Sequence, residues 1–259
     1  MTGQHTDAAL ITAEAPPDGR CSRFEAPAHW QAIDFISDLH LDEQHPRTAQ
    51  AWRDYLARTS ADAVFILGDL FEAWVGDDMR HLPFEGQCAA ALADAGRRLT
   101  LGIMVGNRDF LMGEDMLQAC HAATLQDPTL LTAFGSTHLL THGDAWCLAD
   151  TAYLKARAQL RSAPWQQAFL ARSLPERLHM ARAMREASQA AQAGQTAETW
   201  ADVDAQLAQQ WLQATGTTSL VHGHTHQPER SGPLGPLTDR KSTRLNSSHG
   251  YISYAVFCL

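Results

Sequence analysis

Three observations in the amino-acid sequence predict a layered α/β fold carrying a helical cap. Strand-like and helix-like stretches alternate through the first half of the chain. Five short apolar runs each stop abruptly on Asp, Asn or His: FISDLHL, FILGDLFEAWVGD, IMVGNRDFL, HLLTHGDAW and LVHGHTH. A strand-free stretch from about residue 149 to residue 210 reads as helices set on that core. The core is expected over residues 31–238. Residues 1–30, polar and rich in Ala and Pro, are expected to be a disordered extension.

The elements come in order along the chain. A strand is expected around Ile33–Ser37, then a helix through Thr48–Thr59 with Trp52, Tyr55 and Leu56 at helical spacing. Ala63–Leu67 reads as a buried strand and opens into a loop holding Trp74, Gly76, Asp77 and Asp78. A helix around Gln87–Arg97 leads into a strand over Thr100–Val105. Another near Glu114–His121 leads to a strand pair ending near Leu140. Such βαβ alternation builds a sheet with helices packed on it. In the cap, Lys155, Arg157, Arg161, Arg172, Arg177, Arg182 and Arg185 oppose only Glu176 and Glu186 between residues 155 and 186. This basic island, interleaved with apolar residues, suits an amphipathic hairpin over an anionic substrate or an anionic lipid surface.

Composition narrows the function classes. The 259 residues carry a formal charge of −9, which argues against nucleic-acid binding through the body of the protein. Five cysteines without CxxC spacing point to free thiols in a reducing, cytoplasmic compartment. No apolar run approaches the roughly 18–20 residues needed to span a bilayer. From Asp239 the composition changes. Lys155 and Asn107 are the only lysine and asparagine before that point, yet DRKSTRLNSSHGYISYAVFCL holds another of each. Residues 239–259 resemble the translation of a sequencing-library adapter with a six-base index at Gly250-Tyr251. They are expected to be foreign to the fold, leaving an edge of the sheet unpaired and the native ending outside this chain.

A strand that runs straight into Asp, Asn or His delivers that side chain to the carboxyl end of a sheet, where open α/β sheets bind ligands. Five such turns supply donors for two divalent cations. Asp38 and His40 are expected on one ion, Asn107 and His142 on the other, and Asp69 between them. His224 and His226, two apart on an extended segment, face one side and can split between the ions. Oxygen and imidazole donors without thiolate suit Mn²⁺, Fe or Zn²⁺. Two ions about 3.5–4 Å apart suit in-line displacement at phosphorus. Asn107, Arg108 and His142 are the residues expected to carry catalysis. Arg108, in GNRDF, neutralises phosphate charge but cannot donate a proton near neutral pH, which favours a phosphate leaving group and hence pyrophosphate cleavage.

The ordered set DxH, GD, GN, HGD and GHTH over about Ile33–Pro228 resembles the calcineurin-like metallophosphoesterase superfamily. That resemblance implies a sandwich of two β-sheets flanked by helices, a dinuclear centre and the ligand roles just given. FISDLHL, GDLFEAWVGDD, GNRDFL, THGDAWCxxD and HGHTHQP together resemble its lipid A pathway pyrophosphatases over about Ile33–Arg230. This closer resemblance implies two Mn²⁺ per chain and a UDP-linked diacylated glucosamine cleaved at the α-phosphorus. It also implies a peripheral position on the cytoplasmic face of the inner membrane. It places Asn107 and Arg108 on the phosphates, Asp150 and Ser188 of the cap on the substrate, and His224 both on a metal and on the substrate. Gln192 and Gln195 stand where an amide and a lysine are usual, so the cation is missing at Gln195. The alternatives are another dinuclear-metal phosphoesterase, such as a nucleotide or phosphoprotein phosphatase, or a scaffold of the same fold without chemistry. The complete donor set disfavours the scaffold.

Overall fold

The computed structural model describes residues 21–192, 202–225, 244–247 and 250–256. Its strands are β1 (Ser22–Glu25), β2 (Ala32–Ser37), β3 (Ala63–Leu67), β4 (Thr100–Met104), β5 (Ala122–Thr124), β6 (Thr129–Ala133), β7 (Ser136–Thr141), β8 (Leu220–His222), β9 (Arg244–Ser247) and β10 (Gly250–Val256). The helices are α1 (Pro46–Arg58), α2 (Pro83–Gly96), α3 (Glu114–Ala119), α4 (Thr151–Leu160), α5 (Ala163–Leu170), α6 (Leu174–Gln192) and α7 (Ala205–Thr215).

The strands form two sheets, one in the order β5-β4-β3-β2-β10-β9 and one in the order β1-β6-β7-β8. Period-two alternation decides which layer each side chain joins. On β2 and β3, Ile33, Phe35, Phe65 and Leu67 point between the sheets and meet Leu131, Leu140 and Val221 of the other. Ile36, Val64 and Ile66 point the opposite way, onto Trp52 and Leu56 of α1 and Leu92 of α2. The outer face of the smaller sheet, through Leu130 and Leu139, is covered by Leu207 and Trp211 of α7. The layers therefore run helix, sheet, sheet, helix, the α/β sandwich that the motifs implied.

Three boundaries differ from the sequence reading. Residues 22–25 are not part of an extension: β1 pairs parallel with β6, and Phe24 and Trp30 pack on Phe65. A short polar strand gives almost no period-two signal, and its stability comes from that aromatic cluster. Residues 205–210, assigned above to the cap, open α7 and belong to the sandwich. The edge expected to be unpaired is paired, because β10 runs parallel to β2 from Tyr251↔Ala32 to Val256↔Ser37. The segment YISYAV is rich in β-branched and aromatic residues, and an open strand edge is a template for such a segment.

Helices α4, α5 and α6 make up the cap, and its two sides are fastened differently. At the C-terminal cap of α4, the Arg161 guanidinium donates to the Gly106 carbonyl at 2.9 Å. On α6, buried Arg177 reaches the Val75 carbonyl and the Asp78 carboxylate.

Candidate metal centre

The turns that come after β2, β3, β4, β7 and β8 meet at one rim. Backbone hydrogen bonds lock them together: Asp38 N–H donates to Gly68 O, His40 N–H to Asp69 O, and Gly223 N–H to His142 O. Asp38, His40, Asp69 and His224 all take positive φ, at 55°, 46°, 53° and 70°. Non-glycine residues pay a steric cost there and stay only where the surroundings hold them. Close approach needs glycine beside them. A Cβ on Gly106 would strike the Asp69 carboxylate, and one on Gly223 the Asp38 carboxylate.

Asp69 sits in the middle with almost no exposure. Its Oδ1 lies 3.8 Å from His142 Nε2 and its Oδ2 lies 3.8 Å from His40 Nε2, so the two oxygens face histidines on opposite sides. Donor atoms converge in two groups that share it, Asp38–His40–Asp69 and Asp69–His142–His224. Asn107 Oδ1 joins the second group, 3.1 Å from His142 Nε2 and 2.9 Å from His224 Nδ1. The His224 backbone N–H donates to both Asp38 oxygens at 2.9 Å, tying the two groups together.

This arrangement fits a pair of cations. The His142 Nδ1–H donates to the Leu67 carbonyl at 2.8 Å, leaving the Nε2 lone pair facing inward. That lone pair, the Asn107 oxygen and the Asp69 carboxylate are all acceptors, which repel unless positive charge lies among them. The titration tendencies agree. Burial opposes charge on His142, yet the fields of Asp69, Asp144 and Asp38 lift it to about 9. Burial lifts Asp69 to about 6, against the pull of His142. Burial also holds His40 below its ordinary value against Asp69 and Asp38, which keeps that imidazole neutral. The cluster is short of positive charge, and a proton on His142 stands in for it.

The structure thus brings Asp38, His40, Asp69, Asn107, His142 and His224 to one place. His226 and Gln195 lie outside the described residues, and Gln192 closes α6 with its side chain undescribed. Arg108 comes directly after Asn107, and its backbone N–H donates to Asp69 Oδ1 at 2.8 Å. Asp150 caps α4, accepting from Tyr153 N–H at 2.9 Å, and Ser188 is half-buried on α6. His222 contacts its neighbour's carbonyl rather than the ligand groups.

Sequence reasoning gave no role to Glu72, Asp109 or Asp144, although each stands inside one of the five motif runs. Asp109 is buried and collects backbone N–H groups from the GD and GN turns. Asp144 receives Tyr153 Oη at 2.6 Å and Arg157 Nε at 2.7 Å. Burial raises the Asp144 carboxyl, but His142 and Arg157 outweigh it and hold it well below the usual range. Their signal was an acid in a turn otherwise filled by ligands, which spacing alone does not separate from solvated charge.

The sequence profile described as Calcineurin-like phosphoesterase matches residues 32–228. The chain belongs to this family. It is a metal-dependent hydrolase of the α/β class; the family implies a dinuclear metal site, and the rim described above carries two candidate ligand groups. Among similar proteins, the UDP-2,3-diacylglucosamine hydrolase of Chromobacterium violaceum is 44% identical over 199 residues, covering 76% of this chain and 84% of that protein. That of Marinobacter nauticus is 43% identical over 197 residues, covering 75% and 80%. That of Xanthomonas oryzae is 43% identical over 205 residues, covering 75% and 82%.

Proposed function

We propose that this chain hydrolyses the pyrophosphate bond of UDP-2,3-diacylglucosamine at the α-phosphorus, releasing UMP and 2,3-diacylglucosamine 1-phosphate. The observation that carries the proposal is the Asp69 carboxylate shared by two donor groups, with the GNRDF arginine beside it. The printed names of the relatives supply the substrate.

Asp38 and His40 would hold one ion, Asn107, His142 and His224 the other, with Asp69 between and His226 completing the set. Two Mn²⁺ bound there would supply Lewis acidity toward a phosphoryl oxygen and a nucleophile at neutral pH. The protein's own groups do the rest. The Arg108 side chain offsets phosphate charge while its backbone N–H fixes Asp69. The departing sugar phosphate, with a second pKa about 6, needs no general acid, so an arginine suffices where an alkoxide would require a proton donor. Asn107 would contact the phosphates and His224 the substrate, with Asp150 and Ser188 on its cap side; the resemblance adds Gln192 and Gln195, whose side chains lie outside the described residues.

No helix among the described residues is long and apolar enough to cross a membrane. The basic cap would instead bring the rim to the anionic cytoplasmic surface of the inner membrane, where acyl chains can enter. The test is UMP release from UDP-2,3-diacylglucosamine with Mn²⁺, wild type against Asp69→Ala, beside p-nitrophenyl phosphate and diadenosine polyphosphate. Turnover of simple monoesters without UMP release would overturn the substrate assignment and favour another phosphoesterase.

A further inference from the structure

Glu72 lies on the loop after β3, and backbone pairing sets it beside the His40 turn. His40 N–H donates to Asp69 O, Leu41 N–H to Leu70 O, and Glu72 N–H back to Leu41 O at 3.1 Å, around a bridge between Leu41 and Phe71. This register delivers Glu72 Oε2 to within 3.2 Å of His40 Nδ1. The other oxygen, Oε1, is 4.0 Å from Arg108 Nη1 and contacts the Arg185 guanidinium on α6. The Glu72 side chain is only 16% exposed, and it stands outside both convergent donor groups.

We infer that Glu72 is a positioning residue of the metal centre, fixing the His40 imidazole through Nδ1 so that Nε2 faces Asp69. The inference rests on the dinuclear reading above. An imidazole can ligate through either nitrogen, and its outer hydrogen bond decides which. His142 gives its Nδ1–H to a backbone carbonyl. His40, held at positive φ, sets its Nδ1 3.2 Å from a Glu72 carboxylate oxygen instead. Arg108 and Arg185 flank the second carboxylate oxygen. One acidic side chain therefore links a metal ligand, a phosphate-facing arginine and the cap helix.

The test is Mn²⁺ titration calorimetry on the metal-stripped full chain, comparing wild type, Glu72→Ala and Glu72→Gln, with thermal midpoints and UMP release alongside. Wild type should take two equivalents. Glu72→Ala should weaken one of them by about 10–100-fold and leave the other unchanged. Glu72→Gln, whose amide oxygen still accepts from Nδ1–H, should keep both within about threefold, whatever its thermal midpoint. The inference is overturned if Glu72→Ala binds both ions as wild type does, or if Glu72→Gln loses as much as Glu72→Ala. It is overturned as well if Glu72→Ala loses both equivalents together with its fold. A wild-type chain taking fewer than two equivalents would overturn it along with the metal centre. Two equivalents without UMP release would fall on the substrate assignment alone.

Discussion

Replacing Asp109 with Asn removes one charge and a single acceptor atom, and the surrounding donors make that loss expensive. Asp109 is fully buried, with no bulk water to compensate. Its Oδ1 accepts from Gly106 N–H at 2.7 Å and Asp69 N–H at 3.3 Å. Its Oδ2 accepts from Leu70 N–H at 2.8 Å and Phe71 N–H at 3.5 Å. Whichever way an amide turns, its NH₂ faces one of these pairs, so one short bond is lost and a donor is pressed against a donor. An orphaned buried N–H costs about 1–3 kcal/mol, and the surviving short bond loses its charge assistance. Together these amount to about 2–4 kcal/mol. For a chain of this size that is a fall of roughly 5–15 °C in thermal midpoint. Because the lost bond also frees the turn that holds Asp69 at positive φ, Mn²⁺ affinity should fall with it. Denaturant unfolding of the metal-free protein and Mn²⁺ titration are the assays. A variant within about 0.5 kcal/mol of the parent, binding both ions as tightly, would refute the account of how the GD and GN turns are held.

Asp69→Ala should lose Mn²⁺ at both positions and lower UMP release by about a thousandfold or more, equivalent to about 4 kcal/mol, as read by titration and initial rates. Arg108→Met should depress kcat/KM while both Mn²⁺ equivalents still bind, because the backbone N–H of residue 108, not its side chain, serves Asp69. In metal-free protein the folded pKa of His142, about 9, stands above its unfolded value of about 6.5. Its contribution to stability is therefore complete below pH about 6.5 and lost as pH rises through about 9. Thermal scans in chelator should show the midpoint falling across that window, and added Mn²⁺ should flatten the dependence. Trp211→Ala, which deletes a buried ring stacked 5.5 Å from Trp146, should cost about 3–5 kcal/mol by denaturant unfolding without changing Mn²⁺ stoichiometry.

The strands that frame the centre were legible because buried parallel strands are continuous apolar runs, and each ended on an Asp, Asn or His turn. AVFIL occupies β3 to the residue, and TLGIM fills β4. The convergence of their donor side chains was legible for the same reason. β1 and α7 were not, since Ser22–Glu25 is short and polar, and the boundary between cap and sandwich depends on whether Trp211 meets Trp146 or a cap helix. Glu72 and Asp109 were invisible as partners because their roles depend on backbone N–H groups and imidazole nitrogens far away in sequence. Spacing carries no information about those. The pairing of β10 on β2 ran against expectation because residues 239–259 read as foreign to the fold, although an open edge accepts any segment of strand propensity.

The donors do not all ride on one platform. Asp38, His40, Asp69 and Asn107 stand on the six-stranded sheet, whereas His142 and His224 stand on the four-stranded one. Phe35, Phe65, Leu67, Leu140 and Val221 fill the gap between those platforms, so their bulk sets how far apart the histidine and carboxylate halves are carried. Trimming a methylene deep in that wedge would narrow the bite of the cage without touching a ligand. On the two-ion proposal, preference for ionic radius would then be a trait that hydrophobic packing adjusts.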